Sequence, residues 1–234
     1  MQAALGDLWR TPAGDEYHVH HSGDVHAMFR ARHQFLLTDF RVAALDAGQP
    51  FSRLVEIGCG VGRLLGDCQV ACPGIASFVG LDLNPYAIER ARFEADPATN
   101  LHFEQAEAVS WLEKHPVPGT VLVSYNGVME YLSRDAVSRI LTELARHPPA
   151  AVLICEPVAP DHDLERDVHS YPFGAERSFS HNHEALLKEA GFRIVTARED
   201  FHEGSRTRLK LVVAIATDEP GNSRYDGSYF EGSH

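Results

Sequence analysis

Basic residues are scarce in this 234-residue chain, where 21 Lys and Arg stand against 33 Asp and Glu, a formal net charge of −12. A surface of that sign repels phosphate backbones, and no Lys/Arg cluster offsets it, so the balance argues against a nucleic-acid substrate. Cysteine is also sparse: Cys59, Cys68, Cys72 and Cys155. Only Cys68 and Cys72 lie close together, in a CxxxC spacing with no second pair, which reads as reduced thiols rather than a metal site. Long apolar runs are missing. None approaches the roughly 18 residues of a membrane helix, and the opening MQAALGDLWRTPAGDEYH lacks the basic-then-apolar pattern of a secretory signal. There is no repeat and no low-complexity tract. The expectation is a globular cytoplasmic protein without membrane or nucleic-acid partners, its oligomeric state unspecified.

Hydrophobic residues make up 44% of the chain and charged residues 23%, the balance of a globular protein with a substantial core. Residues 1–23 are polar, with Pro12, Gly14 and Gly23 as punctuation. From Asp24 to about Asp46, apolar residues recur at helical spacing, with Ser22 or Asp24 as the cap and Gly48 and Pro50 as the stop. Beyond that, short apolar runs alternate with amphipathic stretches. Strands are predicted at Arg53–Ile57, Ser77–Asp82, Leu101–Glu104, Thr120–Ser124 and Ala150–Cys155, with helices between them. That alternation predicts a parallel sheet covered on both faces. Residues 157–182 break the rhythm with Pro157, Pro160, Pro172 and Gly174, a long connection of the kind that forms lids and binding loops. A helix at His183–Ala190 and strands from Phe192 and Leu209 follow, and the sequence after Pro220 reads as a loose tail.

The segment Val55-Glu56-Ile57-Gly58-Cys59-Gly60-Val61-Gly62-Arg63 stands between a predicted strand and a predicted helix. Glycines there let the backbone approach a ligand at the strand's carboxyl end. Its sixth position is Arg63, so it is GxGxG rather than the dinucleotide GxGxxG. Further segments follow in order: Gly80-Leu81-Asp82-Leu83-Asn84-Pro85, with an acid 26 residues after Glu56; Phe103-Glu104-Gln105-Ala106-Glu107-Ala108; Ser124-Tyr125-Asn126-Gly127-Val128-Met129-Glu130-Tyr131-Leu132; then Glu156 and Gly191-Phe192.

Over roughly residues 50–217 this ordered set resembles the class I (Rossmann-like) SAM-dependent methyltransferases, SAM being S-adenosylmethionine. The resemblance implies an α/β fold with a seven-stranded, mostly parallel, doubly wound sheet. Residues 1–49 would form an N-terminal helical lid, residues 50–217 the SAM-binding domain with 157–182 as a substrate-loop insertion, and residues 218–234 a flexible tail. It implies SAM as the cofactor. Gly58, Gly60 and Gly62 would lie under its amino-acid moiety and ribose, with Glu56 anchoring that loop and facing the amine. Asp82 would bind the ribose, Leu83 would pack on adenine, and Glu107 with Ala108 would meet the adenine amine. Asn126 would lie under the methionine half.

Such enzymes have no universal catalytic residue, because the sulfonium already activates the methyl group and the protein chiefly aligns nucleophile, carbon and sulfur. Candidates for work on the acceptor come from the variable parts. Tyr17 and His20 lie in the His-rich N-terminal segment, where a His titrates near neutral pH. Tyr125, Tyr171 and His181 are the others, the phenols because they both pack and hydrogen-bond. Ser180 is as readily a helix cap. No zinc-finger or HExxH spacing organises the histidines, so no metal ligands are assigned. The leading expectation is methyl transfer to an N, O or C nucleophile of a small molecule. One alternative uses SAM itself as substrate, cyclising its aminocarboxypropyl chain to azetidine-2-carboxylate with release of methylthioadenosine. The other is a non-catalytic SAM-binding partner subunit.

Overall fold

The computed structural model describes residues 9–48, 50–201 and 208–217. Seven strands form one sheet: β1 (Arg53–Ile57), β2 (Ser77–Asp82), β3 (Leu101–Gln105), β4 (Thr120–Tyr125), β5 (Ala150–Val158), β8 (Arg193–Phe201) and β9 (Arg208–Ala216). Their order is β3-β2-β1-β4-β5-β9-β8. The run from β3 to β5 is parallel, and β9 lies antiparallel to both of its neighbours. The fold is the mostly parallel, doubly wound sheet that the sequence pattern implies. A separate two-stranded hairpin, β6 (Tyr171–Phe173) with β7 (Ser178–Ser180), stands within the long connection after β5.

Every residue of β1 and β4 is buried, because helices cover both faces. Leu54 points into one core with Leu65, Phe78 and Val121, beneath α2 (Phe35–Ala47), α3 (Arg63–Ala71) and α4 (Pro85–Glu94). Val55 and Ile57 point into the other, with Trp111, Ile140, Leu141 and Leu187 from α5 (Ala108–Lys114), α6 (Arg134–Ala145) and α7 (His183–Glu189). The chain winds outward from β1 to β3, then crosses back to place β4 on the other side of β1. That reversal opens a crevice between the carboxyl ends of β1 and β4, the customary ligand position in such sheets.

The N-terminal region corrects one reading of the sequence. Residues 12–23 are not punctuation: α1 runs continuously over Pro12–Met28, with Pro12 at its first turn, and neither Ser22 nor Asp24 caps it. Gly14 is a contact point rather than a breaker, since a Cβ there would lie 2.8 Å from the Trp9 carbonyl and 3.0 Å from the Asn84 amide nitrogen. Tertiary packing outweighs the low helix propensity of glycine. A π-helical turn at Phe29–His33 then leads into α2, which packs on β5, β8 and β9. Ser180 is likewise not a helix cap. Asn182 caps α7 by accepting the amide of Ala185, while Ser180 accepts the amide of Ala159. All four cysteines are buried free thiols. Among the described residues, no helix is long and apolar enough to cross a membrane.

The π-helical turn is pinned to the sheet through buried His33. Its Nε2 lies 2.8 Å from Asp200 on β8 and its Nδ1 lies 2.7 Å from the Tyr125 hydroxyl. A carboxylate only accepts, so Nε2 carries the proton and Nδ1 accepts from Tyr125. Tyr125→Phe leaves that buried nitrogen with only the weakly donating Cys155 thiol, 3.8 Å away. A stability loss of about 1–3 kcal/mol is expected, read as a lower urea midpoint at unchanged slope. An unmoved midpoint would show that this hydrogen bond does not hold the N-terminal helices to the sheet.

Candidate active site

The glycine loop turns at the carboxyl end of β1 with Gly58, Gly60 and Gly62 all at positive φ (66°, 52° and 81°). Space as well as φ requires two of them. A Cβ on Gly58 would lie 2.4 Å from Val128 Cγ2, and one on Gly62 would lie 2.5 Å from Phe103 Cε1. The loop is therefore pressed between Phe103 in the middle of β3 and the segment after β4. Asp82, at the end of β2, holds it there: one carboxylate oxygen accepts the Gly60 amide and the other the Asn84 amide, each at 2.8 Å.

Glu56 lies beneath the loop and is 4% exposed. Its Oε2 has no hydrogen-bond partner among the described residues. Burial, with Asp82 beside it, pushes its pKa well above the ordinary carboxylate range, and the Leu65 backbone amide pulls only partly the other way. Leu83 is half-exposed next to Asp82. Glu107 caps α5, accepting the amides of Val109 at 3.0 Å and Ser110 at 2.8 Å, and half-buried Ala108 follows it. Asn126 leaves β4 at φ 63°, its amide donating to the Cys155 carbonyl. The strands are parallel, so the sheet brings all these predicted cofactor residues to one edge.

Helix α1 crosses that edge. The Asn84 side chain caps α4 through the Ala87 amide and donates to the Trp9 carbonyl at 2.9 Å and to Asp15 at 2.8 Å. Further along, His26 meets Asp67 of α3 at 2.8 Å. Trp9 packs edge-on against Tyr131, which lies in the 3-10 turn Met129–Tyr131 after β4. The Tyr131 hydroxyl donates to Glu176 in the β6–β7 turn.

The predicted catalytic residues do not converge as a group. His20 is exposed on α1, and the side chain of Tyr17 lies outside the described residues. Tyr125 is buried and engaged with His33. Its pKa is raised, chiefly by burial. Tyr171 sits on the hairpin with its ring 4.8 Å from that of His162. His181 is buried between the carbonyls of Met129 and Leu132, both 3.1 Å from Nε2, with the Ser170 hydroxyl 2.7 Å from Nδ1. Two carbonyls at Nε2 require a proton there, so Nδ1 accepts from Ser170. Burial lowers the His181 pKa to about 4, which keeps the ring neutral. Both nitrogens are occupied, and in this arrangement His181 braces the 3-10 turn against the hairpin.

Two further carboxyls stand at this edge: Glu156, which belongs to the ordered set of motifs, and Glu130, which lies inside one of its segments without a predicted role. Glu156 on β5 is fully buried and accepts the Ser124 hydroxyl at 2.6 Å and the amides of Val128 and Met129. Glu130 lies in the 3-10 turn, with Oε1 only 2.6 Å from where a Gly127 Cβ would stand. Burial pushes both up to about 7; for Glu130 the Ser178 hydroxyl pulls against this and Glu176 adds to it. The signal in the sequence was an acid three residues beyond the glycine that makes room for it.

A carboxyl whose folded pKa is raised disfavours folding once it must ionise. Between its unfolded pKa near 4.3 and its folded value of about 7 the native state binds more protons, so this contribution to stability falls as pH rises. Glu130→Gln, which cannot ionise, is expected to gain stability relative to the wild type as pH goes from 5 to 8, measured by urea unfolding. A difference that stays constant with pH would show that Glu130 ionises as freely as in the unfolded chain.

Residues 54–148 match the sequence model of a family described as a methyltransferase domain. A search of curated proteins gives no significant match. Among solved structures, magnesium protoporphyrin IX methyltransferase (ChlM) from Synechocystis PCC 6803 with bound SAH is 14% identical. It aligns over 93% of this chain and 100% of its own, with a TM-score of 0.61. N-methyltransferase NodS from Bradyrhizobium japonicum WM9 is 15% identical over 82% of this chain and 98% of its own, at 0.58. A SAM-dependent methyltransferase from Clostridium acetobutylicum ATCC 824 is 9% identical over 83% and 98%, at 0.57. At these identities the likeness is one of fold.

Proposed function

We propose that the chain, with its seven-stranded, mostly parallel sheet and a methyltransferase-domain match across residues 54–148, is a class I SAM-dependent methyltransferase that transfers the methyl group of SAM to an N, O or C nucleophile of a small molecule. The observation that carries the reading is the buried, unpartnered Oε2 of Glu56 beneath a glycine loop tied to Asp82. A buried oxygen without a partner costs about 1–3 kcal/mol, and the ammonium of the SAM amino-acid moiety is a partner of the right chemistry. When bound, SAM supplies an electrophilic methyl carbon on a sulfonium. The residues that would hold it are Glu56 and the glycine loop at the amino-acid end, Asp82 with Leu83 at the ribose and adenine, and Glu107 with Ala108 beyond. Asn126 leaves β4 across the crevice, on the methionine side.

Glu156 does not touch this group. It fixes the loop after β4, through Ser124 and the amides of Val128 and Met129, against the glycine loop. The N-terminal helix, anchored by Asn84, Asp15 and His26, covers the edge and limits water entry. An acidic protein of this kind suits a small acceptor rather than a nucleic acid, in keeping with its net charge of −12.

Calorimetry with SAM and SAH tests the cofactor site. Asp82→Ala removes the acceptor for two backbone amides and is expected to weaken SAM binding by about 1–3 kcal/mol. Unchanged affinity would remove Asp82 from the site. In a second assay, protein is incubated with SAM alone and followed by mass spectrometry. SAM is expected to remain unconsumed, whereas accumulation of methylthioadenosine would replace methyl transfer by cyclisation or cleavage of SAM.

A further inference from the structure

The crevice between β1 and β4 has the glycine loop on one wall and the segment 126–132 on the other, in contact where Val128 fills the space above Gly58. Two residues on from Val128, the Glu130 carboxyl folds back over Gly127, beside Pro157 at the end of β5, and faces Ser178 of the hairpin. Glu130 thus stands where three elements meet at the carboxyl edge: the turn after β4, β5 and the long insertion.

Several other proton acceptors near this edge are committed, whereas Oε2 of Glu56, beneath the glycine loop, and both nitrogens of the buried His183, beside His181, have no partner among the described residues. Both nitrogens of His181 are engaged, Tyr125 donates to His33, and Glu156 holds a hydroxyl and two amides. The groups facing Glu130 are Ser178 on β7, Glu176 in the β6–β7 turn and Glu156 on β5. None of these is a cation that would hold the carboxyl permanently ionised.

Resting on the methyltransferase reading, we propose that Glu130 is the general base of the reaction, and that the acceptor is an amine or hydroxyl whose hydrogen it removes. As the acceptor lone pair bonds to the methyl carbon, and the carbon–sulfur bond breaks with its electron pair going to sulfur, Oε1 of Glu130 takes the N–H or O–H proton. The carboxylate ends protonated, the sulfonium ends as a neutral thioether, and charge and atoms balance. Burial places this carboxyl's titration at about 7, where a base both accepts and returns a proton near neutral pH. An acceptor that arrives already ionised has no use for such a group.

The test needs no acceptor. Sinefungin is the SAM analogue in which an amine-bearing carbon replaces the methyl sulfonium, so its ammonium probes what faces the transferred methyl. Calorimetry would compare sinefungin with SAH for the wild type and Glu130→Gln, at pH 6 and pH 8. The wild type at pH 8 is expected to prefer sinefungin by roughly ten- to hundredfold, the scale of one charge-assisted hydrogen bond. That preference should collapse in Glu130→Gln and shrink in the wild type at pH 6, while SAH affinity changes by less than about threefold, the usual context scatter of a neutral contact. Normal SAH binding with a sinefungin preference indifferent to the substitution or to pH would overturn the role of Glu130 and leave the cofactor reading intact. Failure of the wild type to bind either ligand would overturn both. Because Glu156 titrates over the same range, the wild-type pH dependence is assigned to Glu130 only if it is lost in Glu130→Gln or, should that variant not fold, in Glu130→Ala.

Discussion

The carboxylate of Asp82 accepts one amide from the glycine loop and one from Asn84, and much of the carboxyl edge is arranged around that double contact. Asp82 is 7% exposed, and its two oxygens make short bonds to backbone rather than to flexible side chains. The loop after β1 is thereby fixed relative to β2. Asn84, held by the same carboxylate, caps α4 and ties down Trp9 and Asp15 of the N-terminal segment. The glycine loop and the N-terminal helix are joined through one acidic side chain. Charge-assisted bonds to backbone amides are the stronger kind of hydrogen bond, which suits a residue at the junction of so many parts.

The other buried acids divide the work. Glu156 is saturated by donors from Ser124, Val128 and Met129, so it shapes the turn that walls the crevice. Glu56 has an oxygen with no partner among the described residues, which leaves it open to a ligand. Glu130 has room to act on protons. Three chemically equivalent side chains take three roles because their donors differ, not because their intrinsic chemistry does.

The histidines follow the same logic. The sequence offers His20 and His181 as catalytic candidates, yet His33, His162 and His181 are each connectors between hydroxyl, carbonyl and carboxylate partners. His33 joins the π-helical turn to β4 and β8. His162 and His181 pin the insertion after β5, through Ser180 and Ser170. The variable parts of the chain, which the sequence marks only as irregular, are in this way fastened to the sheet by buried imidazoles.

Periodicity and punctuation determined the sheet, the alternation of helices and the glycine loop. Apolar runs such as Val121–Val123 and Val152–Ile154 have no exposed alternative, and Gly58, Gly60 and Gly62 mark a turn other residues tolerate poorly. Order along the chain then placed Glu56, Asp82, Glu107 and Asn126 at the ends of successive strands. The sequence did not disclose that residues 12–23 are helical, since Gly14 and Gly23 look like breakers until Asn84 and Arg63 are seen packed against them. Nor did it separate Glu130 from the other 32 acids implied by a total of 33 Asp and Glu, or show that His181 is used up as a brace. Those roles depend on burial and on partners far away in sequence, 49 and 52 residues for the carbonyls at His181 and 69 for Asn84 with Asp15, contacts that only the folded chain brings within hydrogen-bonding distance.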